Sequence, residues 1–273
     1  MPDEDRCRTP GVRRPVSAHT EVVWTLFEEK TFWERAAETR WGAYLTERQR
    51  EALVLASSLP AAPALAVDVG CEGGRWSSVL HDAGWELVCT DTNPDTLALC
   101  ARRLPKATCL LVDPSDTRIP VHDGAARLLL VSEVAPVSQS EWFPNEAARV
   151  LEPDGILVCT FYNPASPRGV AYRLLRRIEA RRRPSGARFH AHFYDGRSYS
   201  AFRNELERRE LRLVYEEGLC WFPFSRQSNA RLVPFCTRLE RSLGLRRLAA
   251  VSPFVILIAQ KRAHRADSAL PVS

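Results

Sequence analysis

The segment ALAVDVGCEGGRWSSVL, residues 64–80, decides how the rest of the chain is read. Its first seven residues are apolar or small apart from Asp68, which suits a strand buried on both faces. A glycine-rich turn follows, Gly70-Cys71-Glu72-Gly73-Gly74, and a helical pattern then covers residues 74–83. Glycine lets the backbone approach a ligand and take positive φ at little steric cost. The N–H groups that open the following helix suit an anionic group such as a carboxylate. Asp68, placed before the first glycine, could meet an ammonium group. The spacing is not the G-x-G-x-x-G of dinucleotide-binding proteins, which argues against a nicotinamide dehydrogenase.

Outward from this segment, short apolar runs alternate with helical patterns. ELVCTD (86–91) reads as a second strand and NPDTLALCARRL (93–104) as a helix started by Asn93 and Pro94. ATCLLVD (107–113) and AARLLLVS (125–132) are the next strands. A helix at 140–151, stopped by Pro153 and Gly155, leads to the strand GILVCTFY (155–162). Strands of this kind separated by helices indicate an α/β fold with a parallel sheet covered on both faces. In such sheets ligands bind beyond the C-terminal strand ends, so the residues that end each strand carry the chemistry.

Two helices are expected before the first strand, over residues 21–40 and 46–59, the second stopped by Pro60 and Pro63. After residue 162 come a basic helix (168–183), a loop around His190 to Asp195, a helix (198–209) and the strand LRLVYEE. About 35 residues, with a helix over 229–243, separate that strand from the last, SPFVILIAQKR.

The sequence also bounds what the protein is. Its 273 residues can bury a sizeable core, and 45% hydrophobic with 26% charged residues is ordinary for a soluble globular protein. Residues 1–17 mix charges and prolines without an apolar core and read as a tail, not a secretory signal; no run is long enough to span a bilayer. A cytoplasmic protein is expected. Of its 38 basic residues only Lys30, Lys106 and Lys261 are lysines, a bias that a GC-rich coding sequence explains without nucleic acid. The eight cysteines form no C-x-x-C pair, and several sit in strand-like stretches as small hydrophobes.

The strand ends resemble class I S-adenosylmethionine-dependent methyltransferases, in the broad methyltransferase-domain group that includes quinone-biosynthesis enzymes. That group's first motif runs D-x-G-x-G-x-G; this chain has Asp68, Gly70, Glu72 and Gly74, so Glu72 replaces the middle glycine. Asp91 stands where the group has the acid that accepts from both ribose hydroxyls, although an acid there could also cap the next helix. Asp113 stands where an acid accepts from the adenine amino group, with Ile119-Pro120 after it; Asp116 is a rival, and a turn role is the alternative. Ser132-Glu133-Val134 matches the start of S-E-V-L-E-H, while ARVLEPDGILV resembles R-V-L-K-P-G-G-x-L with Asp154 for the first glycine.

The resemblance covers residues 64–161 and implies a Rossmann-like, seven-stranded, mostly parallel sheet whose last strand is antiparallel. It implies S-adenosyl-L-methionine as cofactor, with Asp68, Gly70, Cys71, Glu72, Gly74, Asp91, Thr92, Asp113, Pro114 and Ser132 as binding residues. The domain would span residues 19–262, with lids near 165–195 and 219–250 and tails at 1–18 and 263–273.

Methyl transfer needs donor and acceptor held in line and water kept out. A base for an oxygen or nitrogen acceptor would come from His190, His192 or Tyr194, although these residues could equally cap or pack their loop; Glu133 is a further catalytic candidate. His190 and His192 also form an H-x-H pair, but no further clustered ligands accompany them and no metal is expected. On the basic helix Val170, Leu174 and Ile178 share one face among arginines: a lid for an anionic or lipid-linked acceptor, a membrane contact, or a solvated face. Trp221 to Phe224 could line an apolar pocket or belong to the core. A small-molecule or lipid-like acceptor is therefore expected. Nucleic acid is not, because SEVAPV stands where amino-methylating enzymes carry an N/D-P-P-Y/F-type motif. A methyltransferase-like protein that binds the cofactor without transferring methyl is the other reading.

Overall fold

Two threonines set the first helices. In a computed structural model, which describes residues 30–182 and 192–263, Thr31 forms a capping box with Glu34 and starts helix α1 (Phe32–Ala37). The Thr39 hydroxyl accepts from the Gly42 N–H at 3.1 Å and starts α2 (Arg40–Ser58). The expected boundary is corrected here: the helix read over residues 21–40 stops at Ala37, and the one read over 46–59 begins six residues early. The corner is tight, since a Cβ on Gly42 would lie 1.8 Å from the Ala36 carbonyl oxygen. Residues 21–29 of that expected helix, and both expected tails beyond residue 263 and before residue 19, lie outside the described residues.

The chain then runs β1 (Leu65–Val69), α3 (Arg75–Asp82), β2 (Glu86–Asp91), α4 (Pro94–Arg103), β3 (Thr108–Leu111) and β4 (Ala126–Val131). A short α5 (Ala135–Ser138), unforeseen in the sequence, precedes α6 (Phe143–Val150) and β5 (Leu151–Tyr162). The last third comprises α7 (Pro167–Arg182), a 3-10 turn (His192–Tyr194), α8 (Tyr199–Arg208), β6 (Leu211–Leu219), α9 (Val233–Ser242) and β7 (Phe254–Lys261).

The seven strands lie in the order β3-β2-β1-β4-β5-β7-β6. β7 is antiparallel to both β5 and β6, and the other strands run parallel to one another. The sheet is Rossmann-like and matches the expected class, last strand included. Its two faces are covered separately: Trp41, Leu53, Leu80 and Leu97 pack one, Phe143, Phe161, Tyr199 and Phe202 the other. Because β1 pairs with both β2 and β4, connections leave in opposite directions there, and a crevice opens beyond their C-terminal ends. No helix among the described residues is long and apolar enough to cross a membrane.

Candidate active site

The crevice holds a cavity of about 370 Å³ lined from the ends of β1, β2, β3 and β4. That volume falls in the range of roughly 300–1,000 Å³ usual for small-molecule clefts.

The loop after β1 is its floor. Gly70 has φ +74, and a Cβ there would lie 2.4 Å from a methyl of Val134, so only glycine lets the chain pass. The Gly70 and Cys71 N–H groups both donate to the Thr90 carbonyl, at 2.8 and 3.0 Å, which fastens the loop to β2. Glu72 adopts φ 51, the left-handed conformation the motif's glycine would supply. The loop path thus survives the substitution, at a backbone cost of about 1–2 kcal/mol. Its side chain is put to use: the Thr31 hydroxyl donates to Glu72 Oε2 at 2.8 Å, and burial pushes the Glu72 carboxyl above its ordinary range. Arg103 of α4 donates to the Gly73 carbonyl at 2.8 Å and pairs with Glu34 at 2.7 Å, so α1 and α4 clasp the loop from outside.

Asp91, at the end of β2, accepts from the Glu72 N–H at 2.7 Å and from the Asn93 N–H at 2.9 Å, one on each oxygen. Both oxygens keep a lone pair for a ligand. Helix capping falls instead to Asn93, whose side-chain oxygen accepts from the Asp95 N–H at 2.9 Å. Asp113 lies on the exposed rim, where bonds from the Ser115 hydroxyl and N–H hold its carboxyl below the ordinary range. Asp116 lines the cavity too and accepts from the Asp113 N–H at 3.1 Å, so the two rivals form one turn.

Of the expected cofactor residues, Gly70, Cys71, Glu72, Asp91, Thr92, Asp113, Pro114 and Ser132 line the cavity. Asp68 and Gly74 do not. Asp68 is 2% exposed and accepts from the Ser77 hydroxyl at 2.5 Å; burial, with Cys89 nearby, pushes its carboxyl up to about 8. It ties β1 to α3 behind the loop. Gly74, with φ +81, lets the loop turn into α3 against Cys100.

At the inner end of the cavity stands Glu133, also left-handed at φ 64, with its N–H donating to the Thr160 hydroxyl at 2.6 Å. One carboxylate oxygen accepts from Gln49 Nε2 at 2.6 Å and is ion-paired with Arg226. The other oxygen is buried and has no hydrogen-bond partner among the described residues. Arg226 lies over Trp33 and Phe254, 5.2 and 5.5 Å from the ring centroids, and burial followed by repulsion from Arg75 pushes it down to about 9. Arg75 lines the cavity over Trp76; among the described residues its guanidinium makes one hydrogen bond, to the Thr46 hydroxyl at 3.4 Å. Burial holds its pKa below the ordinary guanidinium value.

Sequence reading missed Trp33, Arg75, Gln49 and Arg226. Arg75, directly after the glycine turn, was within reach of the motif; the others come from distant segments with no local signal. His190 lies outside the described residues, as does the side chain of His192. The 3-10 turn that begins at His192 is held by Gln139 Nε2, which donates to the Tyr162 carbonyl at 2.9 Å and to the Phe193 carbonyl. Trp221 to Phe224 are not cavity residues; Phe224 packs on Trp41 with ring centroids 5.1 Å apart.

Residues 67–159 match the family model described as "Methyltransferase domain". No curated protein matches the chain. Among solved structures, it is similar to a candidate sarcosine dimethylglycine methyltransferase from Galdieria sulphuraria, with TM-score 0.54, 15% identity, and 82% of this chain and 88% of that chain covered. A SAM-dependent methyltransferase from Archaeoglobus fulgidus gives TM-score 0.52 at 15% identity, covering 84% of this chain and 98% of that one. The cyclase SpnF gives TM-score 0.53 at 17% identity, with 81% of each chain covered. At such identities these likenesses establish the fold.

Proposed function

We propose that this chain, whose residues 67–159 match the methyltransferase-domain model, is an S-adenosylmethionine-dependent enzyme that methylates a small-molecule or lipid-like acceptor at the Glu133 end of the cleft. The carrying observation is Glu133, which lines the cavity and, among the described residues, leaves one buried carboxylate oxygen without a hydrogen-bond partner.

The donor set fits S-adenosylmethionine. Asp91 would accept from the ribose hydroxyls through its remaining lone pairs, and Asp113 or Asp116 from the adenine amino group. The N-terminal end of α3 and the Arg75 guanidinium offer a place for the methionine carboxylate. Gly70, Cys71, Glu72, Thr92, Pro114 and Ser132 supply the walls. When bound, the cofactor supplies an electrophilic methyl on a sulfonium. The protein's own work is positioning and exclusion of water. Trp33, Val134, Pro136 and Val137 shield the cavity, and Glu133 would accept a hydrogen bond from an acceptor hydroxyl or amine and orient it. His190 and His192 remain candidates for a base if the acceptor must lose a proton.

A lipid-like acceptor is favoured by α7. Val170, Leu174, Leu175 and Ile178 are 49, 56, 56 and 38% exposed, an apolar stripe at helical spacing on an arginine-rich helix. Such a helix suits an interfacial position. The test is transfer of labelled methyl to amine-, phenol- and carboxylate-bearing compounds and their long-alkyl analogues. Preference for the alkylated set supports the proposal; transfer only to RNA, or to none of them, overturns it.

A further inference from the structure

Four cysteines far apart in sequence meet behind the cofactor loop. Cys71 belongs to that loop, Cys89 to β2, Cys100 to α4 and Cys109 to β3. The sulfur atoms of Cys71, Cys89 and Cys100 all lie within 4.8 Å of one another, and Cys109 Sγ lies 4.0 Å from Cys100 Sγ. The first three are buried, and all four are free thiols. Leu80, Leu97 and Leu104 belong to the apolar cluster around them. The backbone makes room for the group: a Cβ on Gly74 would lie 2.9 Å from Cys100 Sγ.

We propose that Cys71, Cys89 and Cys100, with Cys109 as fourth ligand, form a site for a thiophilic metal ion, zinc being the ion the arrangement suits. Tetrahedral zinc with sulfur at about 2.3 Å places its ligand sulfurs roughly 3.8 Å apart, near the spacing of Cys71, Cys89 and Cys100, all within 4.8 Å, and of Cys109 from Cys100, 4.0 Å. Thiolates in an apolar shell select soft or borderline ions over magnesium or calcium. Each thiol releases its proton to solvent on coordination. Cys71 also lines the cofactor cleft, which gives the ion a way in. As apolar fillers, cysteines need not converge; Cys159, Cys220 and Cys236 are buried outside the cluster. The expectation of no metal looked for ligands clustered along the chain, and these four are gathered by the sheet.

The ion would fasten the glycine loop to β2 and α4 from behind. The site stands or falls independently of the acceptor. Its test uses the full chain purified under reductant, titrated with zinc against a chromophoric chelator and separately with cobalt. The expected result is one zinc per chain and a cobalt spectrum with thiolate charge-transfer absorption. Cys89→Ser and Cys100→Ser should abolish both, whereas Cys159→Ser and Cys236→Ser keep them. Absence of stoichiometric zinc uptake and of the cobalt band in the wild-type chain would overturn the site, as would their persistence in Cys89→Ser and Cys100→Ser. The wild-type cobalt spectrum decides the matter even if the cluster variants fail to fold.

Discussion

The Glu72 N–H donates to Asp91 Oδ2 at 2.7 Å, so the residue that replaces a motif glycine is bonded to the acid that ends the next strand. This bond, with the one from Asn93 to the other oxygen, fixes the carboxylate before any ligand arrives. Preorganisation of that kind lowers the ordering cost of binding.

Replacing Asp91 by alanine should therefore weaken S-adenosylmethionine binding by about 2–3 kcal/mol, the loss expected for charge-assisted hydrogen bonds. Calorimetric titration of the variant measures it. Unchanged affinity would remove Asp91 from the ribose site.

At Glu72, φ 51 makes a specific demand. Glu72→Gly relieves the backbone but loses the bond from Thr31, two effects of about 1 kcal/mol each, and should leave stability and cofactor affinity nearly unchanged. Glu72→Val, β-branched and without the bond, should lower stability by about 2 kcal/mol or more. Thermal unfolding of the pair separates backbone strain from loop path.

The strand ends were legible because a buried strand and a glycine turn leave strong local patterns, and Asp91 and Ser132 follow from them directly. What the pattern could not show is side-chain direction. The sequence places Asp68 before the glycine turn but does not show that its carboxylate accepts from the Ser77 hydroxyl of α3. Nor could it show partners separated by long stretches of chain: Glu133 meets Gln49 from α2 and Arg226 from the segment after β6 only once the sheet is assembled. The helix break at residues 38–39 was missed because an apolar pattern continues through it, and the Thr39 cap overrides that pattern.

Glu133→Ala would leave Arg226 buried without its carboxylate and should destabilise the fold by about 3–5 kcal/mol. Glu133→Gln keeps an acceptor for Arg226; it should preserve cofactor affinity and lower turnover. Full turnover in Glu133→Gln would exclude a role in orienting the acceptor.

Glu240, fully buried on α9, accepts from the Tyr44 hydroxyl at 2.9 Å, and burial pushes its carboxyl from 4.5 up to about 7. The folded state then holds this proton more tightly than the unfolded chain. The resulting stability is complete below the unfolded value and is lost as pH rises through about 7. Denaturant unfolding from about pH 5 to 8 should show that decline, and Glu240→Gln should flatten it.

The exposed stripe of α7 predicts association with lipid. Leu174→Asp combined with Leu175→Asp should reduce co-sedimentation with anionic vesicles while leaving thermal stability within about 0.5 kcal/mol, as expected at exposed positions. Equal sedimentation of variant and wild type would remove the membrane reading.

The most direct test of the whole account is calorimetric titration of the wild-type chain with S-adenosylmethionine and S-adenosylhomocysteine. Stoichiometric, micromolar binding of both is the predicted result, because the carboxylates and the glycine loop are already in place. Failure of both to bind a folded chain would contradict it.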